Sequence, residues 1–114
     1  MNLNEFRVHM TSYRRAGDDE ATSLKDSYLA LDRLHALYEK FSDDERSMAD
    51  QVLAEWVLSA DEKMRFDAIA LINDFKIVSA IPALQKLAER LMLSDTPGAP
   101  YEIKKIRRVI GSLA

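Results

Sequence analysis

Across nearly the whole chain, apolar residues recur three and four positions apart, and only three glycines and three prolines interrupt them in 114 residues. Side chains spaced in this way share one side of a helix, which turns about 100° per residue, whereas a strand would require alternation. No segment alternates. The expected fold is therefore all-α: about six antiparallel helices stacked as hairpins, forming either a compact bundle or an α-α superhelix. The length is that of one domain, so residues 1–114 are read as a single helical domain.

The first helix opens at Asn2, with Glu5 three residues on, and carries Leu3, Phe6, Met10 and Tyr13; Gly17 is expected to end it as a C′ glycine. Ser23 with Asp26 caps a second helix to about Phe41, in which Leu24, Tyr28, Leu31, Leu34, Tyr38 and Phe41 share a face and Leu29 points away. Ser42-Asp43-Asp44-Glu45 is a capping box for a third, whose Met48, Val52, Leu53, Trp56 and Val57 span so wide an arc that contacts on two sides are expected, with Trp56 in the core. The pattern restarts near Asp61 and Glu62, and Met64, Ala68, Leu71, Ile72 and Phe75 line a fourth helix. Pro82 belongs to the first turn of a fifth, with Ile81, Leu84, Leu87, Ala88 and Leu91 inward. The linker-like stretch from Ser94 to Pro100 precedes a sixth, which carries Ile103, Ile106, Val109, Ile110 and Leu113. Short connections alternate ends, so turns near 18–20, 61–62 and 95 should gather Asp18, Asp19, Glu20, Asp61, Glu62 and Asp95 at one end.

Residues 64–93 carry a more particular pattern: Met64-Arg65 opening a helix, Ala68 and Leu71 following, then Ile81-Pro82-Ala83-Leu84 opening the next. This resembles a HEAT-type repeat, with Asn73 where that family often has glycine. The terminal helix, with Ile103, Lys104, Ile110 and Gly111, resembles the first half of a following repeat, one residue shorter in spacing. The resemblance implies a surface for binding other proteins, without catalysis.

Cysteine is absent, which removes disulfides, thiol nucleophiles and cysteine-bound metal and fits a reducing compartment. No apolar run approaches the roughly 20 residues of a membrane span, and the first residues lack the basic and apolar regions of a secretion signal, so a cytoplasmic protein is expected. Asp32, His35 and Glu39 share one edge of the second helix. A carboxylate-bridged metal bundle would need a second Asp/Glu-x-x-His unit, and the sequence has none, so His35 is expected to pack at the core boundary, oriented by Asp32. No nucleophile–histidine–acid grouping or phosphate-cradling glycine loop is visible, so no catalytic residue, cofactor or metal is assigned.

Charge is more informative. Residues 1–60 hold seven Lys and Arg against twelve Asp and Glu, net −5; residues 61–114 hold nine against seven, net +2. Asp18, Asp19, Glu20, Asp43, Asp44, Glu45, Asp61 and Glu62 are the acidic residues expected to meet a partner, and their field would speed the approach of a basic protein. A small acidic domain of this kind suits an immunity or antitoxin-type inhibitor masking a nuclease-like toxin. The alternative uses Lys104, Lys105, Arg107 and Arg108 of the last helix to hold nucleic acid. Against it stand the overall net charge of −3 and the lack of interleaved aromatics.

Overall fold

The computed structural model describes residues 2–24 and 28–114, and the side chains of 22–24 are outside the description. The fold is all-α: α1 (Leu3–Leu24), α2 (Leu29–Lys40), α3 (Asp43–Val57), α4 (Glu62–Phe75), a 3-10 turn (Val78–Ala80), α5 (Ile81–Met92) and α6 (Ala99–Leu113), with no strand among the described residues. The chain divides into two compact units, residues 1–52 and 53–114, and the boundary falls inside α3.

In the first unit α1 and α2 form an antiparallel hairpin, since the rings of Phe6 and Phe41 meet at a tilt with centroids 5.1 Å apart while Gly17 meets Ala30 near the other end. α1 starts as the sequence indicates, with the Glu5 amide donating to Asn2 Oδ1 at 2.8 Å. It does not stop at Gly17. That glycine keeps φ negative inside the helix, and a Cβ on it would lie 3.2 Å from Ala30 Cα. Its role is to let the hairpin close, not to cap a terminus. α1 therefore runs seven residues further and absorbs Ser23 and Leu24, which were expected to open the second helix; Asp26 of that expected cap lies outside the described residues. The buried stripe of α1 is Phe6, Met10, Arg14, Gly17 and Ala21, with Arg14 in line where the apolar pattern alone would place Tyr13. On the facing helix Ala30, Leu34 and Tyr38 are buried.

The α3 capping box forms as read: the Ser42 amide donates to Glu45 Oε1 at 3.0 Å and the Glu45 amide to Ser42 Oγ at 3.3 Å. Ala49 and Val52 are buried in the first unit, while Leu53, Trp56 and Val57 are core residues of the second.

The second unit is built on α4, α5 and α6. The side chain of Asp61 accepts from the Lys63 and Met64 amides to start α4. Lys76 ends it in the left-handed region (φ 54, ψ 52), donating its amide to the Ile72 carbonyl. Pro82 occupies the first turn of α5, and Pro100 that of α6. Three contacts fix the direction of α6 against α4: Arg65 with Glu102, Phe66 with Lys105 and Lys76 with Ser112 all rise together along both helices, so the two run parallel. Buried between the elements are Ala68, Ile69, Leu71 and Ile72 of α4, Leu84, Leu87 and Ala88 of α5, and Ile106, Val109 and Leu113 of α6.

Candidate functional site

In the second unit a cleft of about 450 Å³ opens between α4 and α6, floored by Ile69, Leu91 and Ile106. Its walls come from one face of each helix: Glu62, Arg65 and Phe66 from α4, and Tyr101, Glu102 and Lys105 from α6, with Thr96 and Gly98 closing the end. Spacing of three and four puts each set on a single face. Two aromatic side chains stay unusually open, Phe66 at 42% and Tyr101 at 78% exposure. The Lys105 ammonium lies 4.4 Å from the centre of the Phe66 ring.

Arg65 anchors the cleft. Its Nε donates to Glu102 Oε1 at 3.4 Å, and its Nη1 donates to the carbonyls of Ser59 and Ala60 at 3.1 and 3.3 Å. The last carbonyls after α3, which no longer have helical donors, are thereby met by a cation, and Arg90 donates to the Leu58 carbonyl at 3.5 Å in the same manner. The charge of Arg65 is committed to Glu102, so the residues of the cleft that present charge to solvent are Glu62 and Lys105.

The eight acidic residues singled out by sequence divide by circumstance. Asp18, Asp19 and Glu20 do not sit at a turn or at a helix start; because α1 continues past Gly17 they lie inside the helix, before its last turn, with no helix N-terminus beside them. Glu20 is ion-paired with Arg33 of α2, and the hydrogen bond from that guanidinium holds its carboxyl below the usual glutamate value. The expected gathering with residues 61, 62 and 95 therefore loses its basis for Asp18, Asp19 and Glu20, since there is no connection at 18–20. Asp43, Asp44 and Glu45 do fill the first turn of α3 and are exposed, with Glu45 held low by the Ser42 amide and hydroxyl. Asp61 caps α4, and Glu62 stands beside it at the cleft. Asp95 is exposed in the connection before α6, at the end of the second unit where parallel α4 and α6 both begin.

The basic residues of α6 lie on its outer side, and two of them also touch neighbouring helices. Lys105 turns toward Phe66 of α4, Arg107 turns toward Met92 of α5 with Nη2 3.7 Å from the sulfur, and Lys104 and Arg108 are exposed. On α2, His35 Nδ1 lies 3.2 Å from Oε1 of Glu39, one turn further along the helix and two turns beyond Asp32. Among the described residues no three His, Asp or Glu side chains converge as metal ligands would.

A second polar cluster joins α2 to α3 in the first unit. The Tyr38 hydroxyl donates to Asp50 Oδ1 at 2.7 Å, and the Arg46 guanidinium lies 5.2 Å from the Tyr38 ring centre while its Nη2 donates to the Glu39 carbonyl. Burial, and then the Asp50 carboxylate, pushes the Tyr38 phenol well above its ordinary value. Burial also raises Asp50, against the opposing pull of Tyr38 and Arg46.

Sequence reasoning passed over the cleft, though Tyr101 is an aromatic outside the apolar face of α6 and Phe66 stands off the main stripe of α4. Those two departures from amphipathic pattern were the available signal. No protein-family model matches the chain, nor does any curated protein or solved structure.

Proposed function

We propose that the protein is a binding module for another protein, without a catalytic centre of its own. The observation that carries this reading is the α4–α6 cleft, where Phe66 and Tyr101 leave apolar surface open above the buried Ile69 and Ile106 and the half-buried Leu91. Aromatic residues held open on rigid helices provide large contact area at low entropic cost, which is why they dominate protein interfaces. The HEAT-like pattern of residues 64–93, whose two helices contribute Arg65, Phe66, Ile69 and Leu91 to this cleft, supports the same function.

A basic partner fits the charge. The chain is net −3, and Asp19, Asp43 and Asp44 are exposed. An acidic inhibitor that covers a basic active site, as an immunity protein covers a nuclease-type toxin, is the narrower form of the proposal.

The test is capture of bound partners from cell lysate after nuclease treatment, without cross-linking, with wild type beside Tyr101→Ala and the Asp43→Asn/Asp44→Asn pair. A protein held by wild type, lost from Tyr101→Ala and released by salt supports the proposal. Retention of the same protein by Tyr101→Ala, or loss of all bound material on nuclease treatment, overturns it. Reversing charge at Asp18, Asp19 and Glu20 is the poorer experiment, because it also breaks the Glu20–Arg33 pair between α1 and α2.

A further inference from the structure

The two ends of the α4–α6 cleft differ in charge. The Arg65–Glu102 and Phe66–Lys105 contacts set the parallel register of the helices, which brings Glu62, one turn before Phe66, level with Gly98 and the start of α6. One end thus offers the exposed Glu62 carboxylate and the open ring of Tyr101. At the other end Lys105 is already laid on Phe66. Between them Arg65 and Glu102 neutralise each other, and the floor is aliphatic.

An acidic side chain entering the open end would meet Glu62. A purely apolar one would leave that carboxylate facing hydrocarbon. An arginine suits the open end of the cleft: its methylene stem covers Ile69 and Leu91, its planar guanidinium stacks on an aromatic face, and its fork of donors matches a carboxylate. Phe66 shows that an aromatic wall of this cleft accepts a cation in the folded protein, since it holds the Lys105 ammonium.

We propose that the cleft receives an arginine side chain from a basic segment of a partner protein, with its stem on Leu91 and Ile69 and its guanidinium between Tyr101 and Glu62. The proposal rests on the protein-binding reading above and names the side chain that the module takes. Lys105 opposes the incoming charge, so its removal should tighten binding.

The experiment is a titration of the isotope-labelled full chain with a blocked peptide, Gly-Leu-Arg-Leu-Gly, followed by amide shifts. The same peptide with citrulline, lysine or glutamate in place of arginine serves as comparison. The arginine peptide should move amides of residues 62–69 and 98–106 and bind more tightly than the citrulline form, which keeps the shape without the charge. Tyr101→Ala should weaken it about three- to fivefold and Glu62→Gln about two- to fivefold, as expected of an exposed cation–π contact and an exposed ion pair. Lys105→Gln should strengthen it about twofold or more. All three side chains lie at the surface, and an unchanged melting temperature verifies the fold of each variant.

Equal binding of the citrulline peptide, shifts outside the cleft, or affinity unaltered in Glu62→Gln and Tyr101→Ala together overturns the proposal. So does weaker binding by Lys105→Gln, or displacement of the peptide by a DNA oligonucleotide, both of which assign the cleft to an anion. Self-association that covers the same amides likewise overturns it in favour of a second copy of this chain. If the peptide fails while a captured protein is still lost from Tyr101→Ala, the arginine assignment falls and the protein-binding reading stands. If capture also fails, both fall.

Discussion

Two glycines inside helices here have opposite duties, and substituting each should show it. At Gly17 an added methyl would press on Ala30 Cα at 3.2 Å, with Ala30 Cβ at 3.5 Å behind it, so α1 and α2 would have to part. Gly17→Ala should destabilise the fold by about 1–2 kcal/mol, since overpacking outweighs the gain in helix propensity. Gly111 in α6 has nothing within 4 Å of the same position, and Gly111→Ala should stabilise by about 0.5–1 kcal/mol. Urea unfolding of both variants checks the pair; a stabilised Gly17→Ala would mean that the hairpin is not limited by that contact. Lys76 is the one non-glycine residue with positive φ among the described residues, and relieving it with glycine should add about 1 kcal/mol, less the lost bond from its ammonium to Ser112.

At the scale of elements, helix ends and the α2–α3 joint are held by specific polar groups rather than by the apolar stripes. Ser42→Ala removes the hydroxyl half of the α3 capping box and should cost about 1 kcal/mol by denaturant titration. Tyr38→Phe keeps the ring against Phe41 and under Arg46 but leaves Asp50 without its phenol donor, and should cost about 1–2 kcal/mol. A loss no larger than that of an exposed tyrosine substitution would show that the hydroxyl does not fasten α2 to α3. The continuation of α1 past Gly17 belongs to this scale also, because a glycine read as a terminator was instead a packing site whose partner lies on another helix.

For the whole molecule the ionisable groups set limits at both ends of the pH scale. Glu20 and Glu45 have carboxyls lowered by Arg33 and by Ser42, so their stabilisation is complete above the ordinary glutamate value, about pH 4.3, and is lost as pH falls through the lowered values. Asp50 has the opposite sign. Its carboxyl is raised by burial, so its share of stability is fully present below the ordinary aspartate value and declines as pH rises through the raised one. Tyr38, raised in the same sense, contributes stability that is present below about pH 10 and lost on further alkalinisation. Melting temperature followed against pH should therefore fall more gently on the acid side in Glu20→Gln and Glu45→Gln, and lose part of its alkaline decline in Tyr38→Phe. Acid profiles identical to wild type in both glutamine variants would refute the assignment.

Most of the helices and most of the core were legible in the residues alone, because a helix is made by neighbours and an amphipathic stripe needs only its own spacing to be seen. Trp56, the wide arc of α3, the Ser42–Glu45 box and the first-turn position of Pro82 all follow from such local rules. Arg14 escaped notice because an arginine in a buried stripe looks like a break in it. The fate of the charges was not local either: Glu20 with Arg33, Arg65 with Glu102 and Lys105 on Phe66 join residues 13 to 39 positions apart. Spacing along the chain decided which elements form. Approach between helices decided where α1 ends, which acids remain available and that a cleft lined by Phe66 and Tyr101 exists, because those depend on distances that no single helix contains.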